Sequence, residues 1–136
     1  MNDQMCPVVH FEMPAEDRNR VAQFYHMVFG WQADMLGPEM GNYVVVNTDE
    51  KGEDGRPKNR GVINGGFYMK KKDWPEQYPS VVIAVPDIPS FMEKVEKTGG
   101  KILGEPMDIP GIGKYVSFID TEGNRVSMLQ PLPHMK

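Results

Sequence analysis

Two side chains near the start of the chain, those of His10 and Glu12, could transfer protons or hold a metal ion. They lie two positions apart in the β-like run 7–13, so both should project from the same face of a strand. An imidazole can be a metal ligand, a metal-free general base or a buried group held by hydrogen bonds, and all three roles are open for His10. Glu12 could orient that imidazole, although contact across two strand positions depends on the rotamers.

The other reactive side chains are less informative. Cys6 is the single cysteine, so the chain cannot form an internal disulfide, and a reducing compartment fits best. Its thiol could be a nucleophile or an inert group near the N-terminus. The three consecutive lysines at 70–72 could grip an anionic group or simply keep a connecting segment solvated.

Length and composition favour one globular domain over residues 1–136. Apolar residues make up 40% of the chain and charged residues 25%, and the net charge of −4 argues against a nucleic-acid partner. No segment approaches the roughly 18 continuous apolar residues of a membrane helix. Residues 1–5 have no basic start and no apolar run, so a secretory signal is not expected, and the predicted location is cytoplasmic.

The elements that must position these residues occur in two similar series. The first series has a helix that begins near Asp17 and ends at Gly30, and the second has a helix that begins near Asp87 and ends at Gly99. We expect one apolar stripe of the first helix to pack on a sheet; it contains Val21, Phe24, Tyr25, Val28 and Phe29. The predicted strands cover 7–13, 31–36, 42–48 and 62–69 in the first series and 80–85, 101–103, 115–119 and 125–130 in the second.

The segments between strands carry their own signals. Residues 49–61 hold hardly any apolar side chain and predict an exposed loop. The pair Gly65-Gly66 inside a strand predicts a bulge or a close backbone approach. The segment 106–113, with two prolines and two glycines, is either a lid over a binding site or a plain connector. Residues 120–124 predict a tight turn with positive φ at Gly123 or Asn124.

The order strand, helix and three strands therefore occurs twice. It predicts an α+β fold in which two βαβββ modules form half-barrels around a shared cavity, with the helices outside. Module one covers about 7–69, a linker about 70–79, and module two about 80–131.

Four motifs resemble the vicinal oxygen chelate superfamily, which includes glyoxalase I, bleomycin-resistance proteins, extradiol dioxygenases and fosfomycin-resistance enzymes. The resemblance covers most of the chain and lies in the glyoxalase-like subgroup. Because this fold hosts several reaction types as well as plain ligand binders, the resemblance is informative about the fold and weak about function. The motifs are 9–14 (VHFEMP), 24–31 (FYHMVFGW), 61–66 (GVINGG) and 118–124 (FIDTEGN).

The resemblance implies one divalent metal held by the first, fourth, fifth and eighth strands. In this sequence those positions are His10, Asn64, Ser80 and Ser127, of which His10 alone is a usual ligand. Neutral amide and hydroxyl oxygens are poor replacements for imidazole and carboxylate, so a degraded metal site is expected and a bound metal is not.

Three functions are consistent with this interpretation. The chain could bind a small organic ligand without catalysis, using polar anchors that include His10, Glu12, Asn64 and Ser127. It could be a lyase or isomerase of the glyoxalase type with His10 as base, or a metal-dependent enzyme with an atypical ligand set. Arg125 could clamp a carboxylate or reach solvent. The resemblance also implies a homodimer.

Overall fold

The computed structural model describes residues 5–133, which contain eight strands and two α-helices. The first series has β1 (Val8–Ala15), α1 (Arg18–Phe29), β2 (Gln32–Met35), β3 (Val44–Asn47) and β4 (Asn64–Met69). The second has β5 (Ser80–Ala84), α2 (Ile88–Lys97), β6 (Lys101–Ile109), β7 (Gly113–Ile119) and β8 (Arg125–Pro131). A 3₁₀ turn at Pro38–Met40, which the sequence did not predict, precedes β3. The twofold βαβββ order and the α+β class are confirmed; the shared cavity stays a prediction.

The chain divides into two compact units. The His10 unit runs from His10 to Pro79, and the Ser80 unit combines the described residues up to Val9 with the chain from Ser80 onward. In the His10 unit the strand order is β2-β3-β4-β1, with β1 parallel to β4 and the other pairs antiparallel. In the Ser80 unit the order is β5-β8-β7-β6, with β5 parallel to β8.

Helix α1 begins and ends as its residues predict. The Asp17 carboxylate accepts a hydrogen bond from the Arg20 backbone N–H at 3.0 Å, and Gly30 ends the helix with φ of 76°. Both interactions satisfy backbone groups that a helix terminus leaves without a partner. The helix covers one face of the sheet, where Val44, Val46 and Phe67 are fully buried.

The predicted apolar stripe of α1 is only half right. Val21 and Tyr25 pack against the core, whereas Phe24, Val28 and Phe29 remain 55%, 57% and 62% exposed. The buried residue of α1 is Ala22, so the face that packs on the sheet runs through Val21, Ala22 and Tyr25 and leaves Phe24 and Val28 toward solvent. The Tyr25 ring lies between α1 and the sheet. It is stacked on Trp31 with the ring centroids 4.7 Å apart, and its centroid lies 5.6 Å from that of Phe67.

Helix α2 packs on the Ser80 unit in the same way. Its start is capped by the Asp87 carboxylate, which accepts from the Ser90 N–H at 3.0 Å. The Ile88 N–H donates to the Gln130 side-chain oxygen at 2.8 Å, which ties the helix to β8. The core beneath it contains Val85, Ile88, Val116 and Met128.

The predicted strand at 101–103 is confirmed, but the loop predicted for 106–113 is wrong. Instead of a short strand followed by a loop, β6 continues to Ile109, and its pairing with β7 shifts register between Leu103 and Met107. Pro106 lies in that irregular stretch of an edge strand, where a missing N–H costs no ladder bond. The remaining turn is short, with the Ile112 N–H donating to the Ile109 carbonyl at 3.0 Å. The segment is therefore mostly strand rather than a loop able to act as a lid.

Two other sequence features are confirmed. Residues 49–61 form a largely exposed loop. In the turn 120–124, the Asp120 carboxylate accepts from the Glu122 and Asn124 backbone N–H groups at 2.8 and 2.9 Å, and Gly123 has φ of 86°. Within residues 5–133, no helix combines the length and apolarity needed to cross a bilayer.

Candidate functional site

The polar residues of the His10 unit collect on the sheet face opposite α1. His10 pairs with Asn64, and Glu12 with Gly66, in the register of β1 against β4. Because side chains alternate along a strand, the neighbours Phe11 and Phe67 point to the other face, where they pack in the core under α1. We call the face that carries His10, Glu12, Tyr43, Asn47 and Asn64 the polar face.

Tyr43 reaches across this face because Gly66 has no side chain. A Cβ atom at Gly66 would overlap Cε2 and the hydroxyl oxygen of Tyr43, so the phenol ring lies directly on the β4 backbone. On the other side of β4, Gly65 makes the same room for the Phe11 ring. The pairing of β4 with β1 and β3 is uninterrupted here. The Gly65-Gly66 pair therefore marks a close approach and not a bulge.

The Tyr43 hydroxyl joins His10 to Glu12. It donates to Oε2 of Glu12 at 3.0 Å and lies 2.9 Å from Nε2 of His10. Glu12 is buried, with 6% of its surface exposed. His10 and Glu12, whose contact the sequence left open, are thus joined through Tyr43. The Tyr43 ring lies nearly parallel to the imidazole, at an interplanar angle of 22°.

Burial lowers the pKa of His10 from 6.5 to about 4. Its imidazole is therefore neutral at physiological pH, since the charged form loses more from leaving water than the neutral form does. A neutral imidazole can accept a hydrogen bond or a proton from a bound molecule. Its lowered pKa makes it a weaker base than an exposed histidine.

Asn64 is held by other residues of the same unit. Its side-chain oxygen accepts from the Thr48 backbone N–H at 2.9 Å, and its Nδ2 donates to the Asn47 side-chain oxygen at 3.1 Å. The Thr48 hydroxyl donates to the Ile63 carbonyl at 2.8 Å. These bonds fix the end of β3 against the start of β4, which gives Asn64 a structural role whatever else it contacts.

In the Ser80 unit, Ser127 belongs to a group of three hydroxyls. Its Oγ lies 2.8 Å from the Tyr115 hydroxyl and 2.8 Å from the Ser117 Oγ, and Ser117 also donates to Tyr115 at 3.4 Å. We call Tyr115, Ser117 and Ser127 the hydroxyl triad. Ser127 is only 2% exposed. Ser80 and Arg125 are the first residues of β5 and β8, and both are partly exposed.

The sequence-predicted site residues therefore fall into two groups. His10, Glu12 and Asn64 lie on the polar face of the His10 unit, and Ser80, Arg125 and Ser127 lie on β5 and β8 of the Ser80 unit. The sequence left open whether Tyr43 lines the cavity or fills the core, and the glycine pair was the signal for its position on β4. Four further partners were missed, although strand alternation could have placed two of them, Tyr115 and Ser117, on one face of β7. The missed residues are Asn47, Thr48, Tyr115 and Ser117.

A glyoxylase-like domain-containing protein from Didymella fabae is 32% identical to the chain over 116 residues, which is 83% of this chain and 84% of that protein. The chain belongs to the glyoxalase-like group of the vicinal oxygen chelate superfamily. Residues 8–49 of this glyoxalase-like chain also match the family described as bleomycin resistance protein-like N-terminal.

Two further proteins are similar to most of the chain. The anthracycline biosynthesis protein DnrV of Streptomyces peucetius is 26% identical over 119 residues, which are 83% of this chain but 42% of DnrV. The glyoxalase-like chain thus spans less than half the length of that relative. A methylmalonyl-CoA epimerase from Streptomyces coelicolor, solved with 2-nitronate-propionyl-CoA, has a TM-score of 0.68 at 12% identity over 98% of this chain and 99% of the epimerase. At that identity the likeness shows the fold alone.

The resemblance assigns a divalent cation to the positions of His10, Asn64, Ser80 and Ser127. These residues supply one imidazole, at His10, and otherwise neutral amide and hydroxyl oxygens. First-row divalent metals prefer imidazole, thiolate and carboxylate ligands. The Asn64 oxygen is already directed to a backbone N–H, and the Ser127 hydroxyl to the hydroxyl triad. Among residues 5–133, no three His, Cys, Asp or Glu side chains are arranged to hold a metal ion.

Proposed function

We propose that this glyoxalase-like chain binds a small organic molecule through polar groups that include His10 and Glu12, without a divalent cation. The observation that supports this most is the way Asn64 and Ser127 are hydrogen-bonded within their own units. Groups committed to such networks stabilise strand pairs and cannot turn toward a metal without leaving buried partners unsatisfied. An organic ligand can bond to these groups without breaking the networks, because an amide NH2 has two hydrogens and a hydroxyl can take part in up to three hydrogen bonds. Asn64, Ser127 and Arg125 are therefore further ligand contacts in this proposal.

The relatives suggest which molecules to try first. DnrV is named for anthracycline biosynthesis, the matching family for bleomycin resistance, and the epimerase was solved with a coenzyme A ester. Polycyclic aromatic compounds, glycopeptide antibiotics and acyl-coenzyme A esters are therefore three chemical classes for a binding screen. Dicarbonyls and thiol adducts, the substrates of glyoxalases, form a fourth.

The first experiment measures metal content and ligand binding on the same protein. Protein purified without chelator should contain well under one equivalent of transition metal by mass spectrometry. A compound that binds the folded state should raise the melting temperature, by the same amount with and without chelator, because binding only to the folded state shifts unfolding by mass action. His10→Gln should reduce the shift, and His26→Gln, at an exposed residue of α1, should not. A stoichiometric metal whose removal abolishes binding would overturn the proposal.

A second candidate function is an isomerase or lyase that uses His10 as its base. The neutral state of the buried imidazole favours it, because a base must be unprotonated at working pH. Turnover of a dicarbonyl or an acyl-coenzyme A ester that His10→Ala abolishes and chelator does not affect would establish this function. Turnover that survives His10→Ala would exclude it.

We also infer a homodimer from the family resemblance, and a cytoplasmic location and no nucleic-acid partner from the sequence and its net charge of −4. Light scattering of the purified chain tests the first point, since a dimer has twice the 15.4 kDa chain mass. A mass of one chain at micromolar concentration would contradict it.

A further inference from the structure

The bond directions around Tyr43 determine which nitrogen of His10 carries the proton. A phenol hydroxyl has one proton to donate. The Tyr43 hydroxyl donates it to the Glu12 carboxylate at 3.0 Å. In its 2.9 Å contact with Nε2 of His10, the same hydroxyl can then only accept. With Glu12 ionised, Nε2 then carries the proton, which leaves the lone pair of the neutral imidazole on Nδ1.

The position of the tyrosine is set by the sheet and not by a flexible loop. Its ring lies on the β4 backbone in the space that Gly66 leaves, and β3 begins at the next residue, Val44, which is completely buried. A hydroxyl delivered in this way holds the imidazole in one orientation and one tautomer, as an orienting partner does for a catalytic histidine.

We propose that Tyr43 is a positioning residue that fixes His10 as the Nε2–H tautomer, so that the site presents Nδ1 as its hydrogen-bond and proton acceptor. The ligand it takes then carries a donor toward His10, an O–H, an N–H or an acidic C–H, and not a carboxylate or phosphate oxygen. This statement about ligand chemistry rests on the proposed function of the polar face. The statement about the tautomer does not, because it concerns the protein without ligand.

The test is a long-range ¹H–¹⁵N correlation spectrum of the full-length, ¹⁵N-labelled chain at pH 7 without added ligand. The His10 signals are assigned by their loss in His10→Gln. We expect a pyridine-like nitrogen shift at Nδ1 and a pyrrole-like shift at Nε2. The opposite pattern would mean that Tyr43 donates to His10 and Glu12 is protonated, and would overturn the proposal. An averaged pattern would overturn it as well, since it would mean that the ring is not fixed.

Two variants then test the positioning role. Tyr43→Phe removes the hydroxyl and keeps the ring, and Gly66→Ala displaces the ring and keeps the hydroxyl. Both should move the His10 nitrogen shifts toward the average of the two tautomers. Tyr78→Phe removes the hydroxyl of an exposed tyrosine and should leave the His10 shifts unchanged. Unchanged His10 shifts in a folded Tyr43→Phe variant would refute the role.

The ligand statement has a separate readout. Compounds that raise the melting temperature are compared with derivatives whose donor group is methylated. The loss of one buried hydrogen bond should weaken the apparent affinity about tenfold or more. The methylated derivatives should therefore lose most of the melting-temperature shift. If no compound binds, the proposed function fails while the spectrum still decides the tautomer. If a methylated compound binds as well as its parent, the donor requirement is wrong.

Discussion

Replacing Gly66 by alanine should destabilise the His10 unit through Tyr43 and through nothing else. The new Cβ would overlap the phenol ring, so the side chain must leave its position between His10 and Glu12. Two hydrogen bonds of the hydroxyl are lost with it, at about 1 kcal/mol for the neutral bond and about 2 kcal/mol for the bond to the carboxylate. Crowding adds about 1 kcal/mol, and alanine recovers up to about 1 kcal/mol relative to glycine in a strand. The expected net loss is about 3 kcal/mol.

A double-mutant cycle separates this cause from a general intolerance of side chains at Gly66. Urea unfolding followed by tryptophan fluorescence would be measured for Gly66→Ala, Tyr43→Ala and the double variant. In the Tyr43→Ala background the ring is gone, so the alanine at 66 should stabilise the fold by up to about 1 kcal/mol relative to glycine. The coupling energy between the two positions should therefore be up to about 4 kcal/mol.

The control is Gly52→Ala in the exposed loop, where a Cβ would meet its nearest atom, the Arg56 carbonyl oxygen, at an ordinary 3.4 Å. Its effect should stay within about 0.5 kcal/mol. An equal cost of Gly66→Ala with and without the tyrosine ring, or a cost below about 1 kcal/mol, would refute the placement of Tyr43 on β4.

Three further predictions concern pH, the hydroxyl triad and α1. As pH falls from 6.5 to about 4, His10 takes up a proton in the unfolded chain but not in the folded one, where the ring is buried. The free energy of unfolding of the wild type, measured by urea titration, should therefore fall by up to about 3 kcal/mol relative to that of His10→Gln. Ser127→Ala should cost about 1–3 kcal/mol by the same assay, because the buried Ser117 hydroxyl and the half-buried Tyr115 hydroxyl lose a partner; a cost below about 0.5 kcal/mol, the size of an ordinary surface change, would contradict this. Phe24→Ser should change the melting temperature by less than about 2 °C, and Tyr25→Ala should lower it by more than about 8 °C; similar shifts for both would mean that the α1 packing is wrong.

The order of elements could be predicted from the sequence because the apolar periodicity and the helix ends agree. Asp17 and Gly30 delimit α1 by local hydrogen bonds that depend on a few neighbouring residues. The exposure of Phe24 and Val28 could not be predicted, because it depends on how much of the helix the sheet is wide enough to cover. Periodicity identifies an apolar stripe, but not its partner.

Pro106 shows a second limit of the sequence. A segment with two prolines and two glycines is typical of a loop, yet here Pro106 lies in an edge strand at a register shift. Whether a strand is at the edge of a sheet depends on the pairing of all the others, and that information is not local. Pro106 excludes only a central strand for this segment, because a central strand would lose a ladder hydrogen bond at the missing N–H.

The candidate site was predictable at the level of His10 and Glu12 and not at the level of Tyr43. The first two follow from alternation within one strand. Tyr43 joins them through a register between β3, β4 and β1 that brings together residues 31 and 33 positions apart. The pair Gly65-Gly66 indicated that something approaches the backbone there, but the sequence does not say which side chain does.

The position of β4 between two aromatic rings gives the protein an intrinsic NMR reporter. Each ring lies where a side chain would project from Gly65 or Gly66, so one α-proton of each glycine sits in the magnetic shielding cone of an aromatic neighbour. Because Phe11 packs against the core, its contribution to the chemical shift of Gly65 should stay constant. Any molecule that pushes the phenol of Tyr43 aside would move the Gly66 resonance alone, and a single glycine signal would then register occupancy without a label.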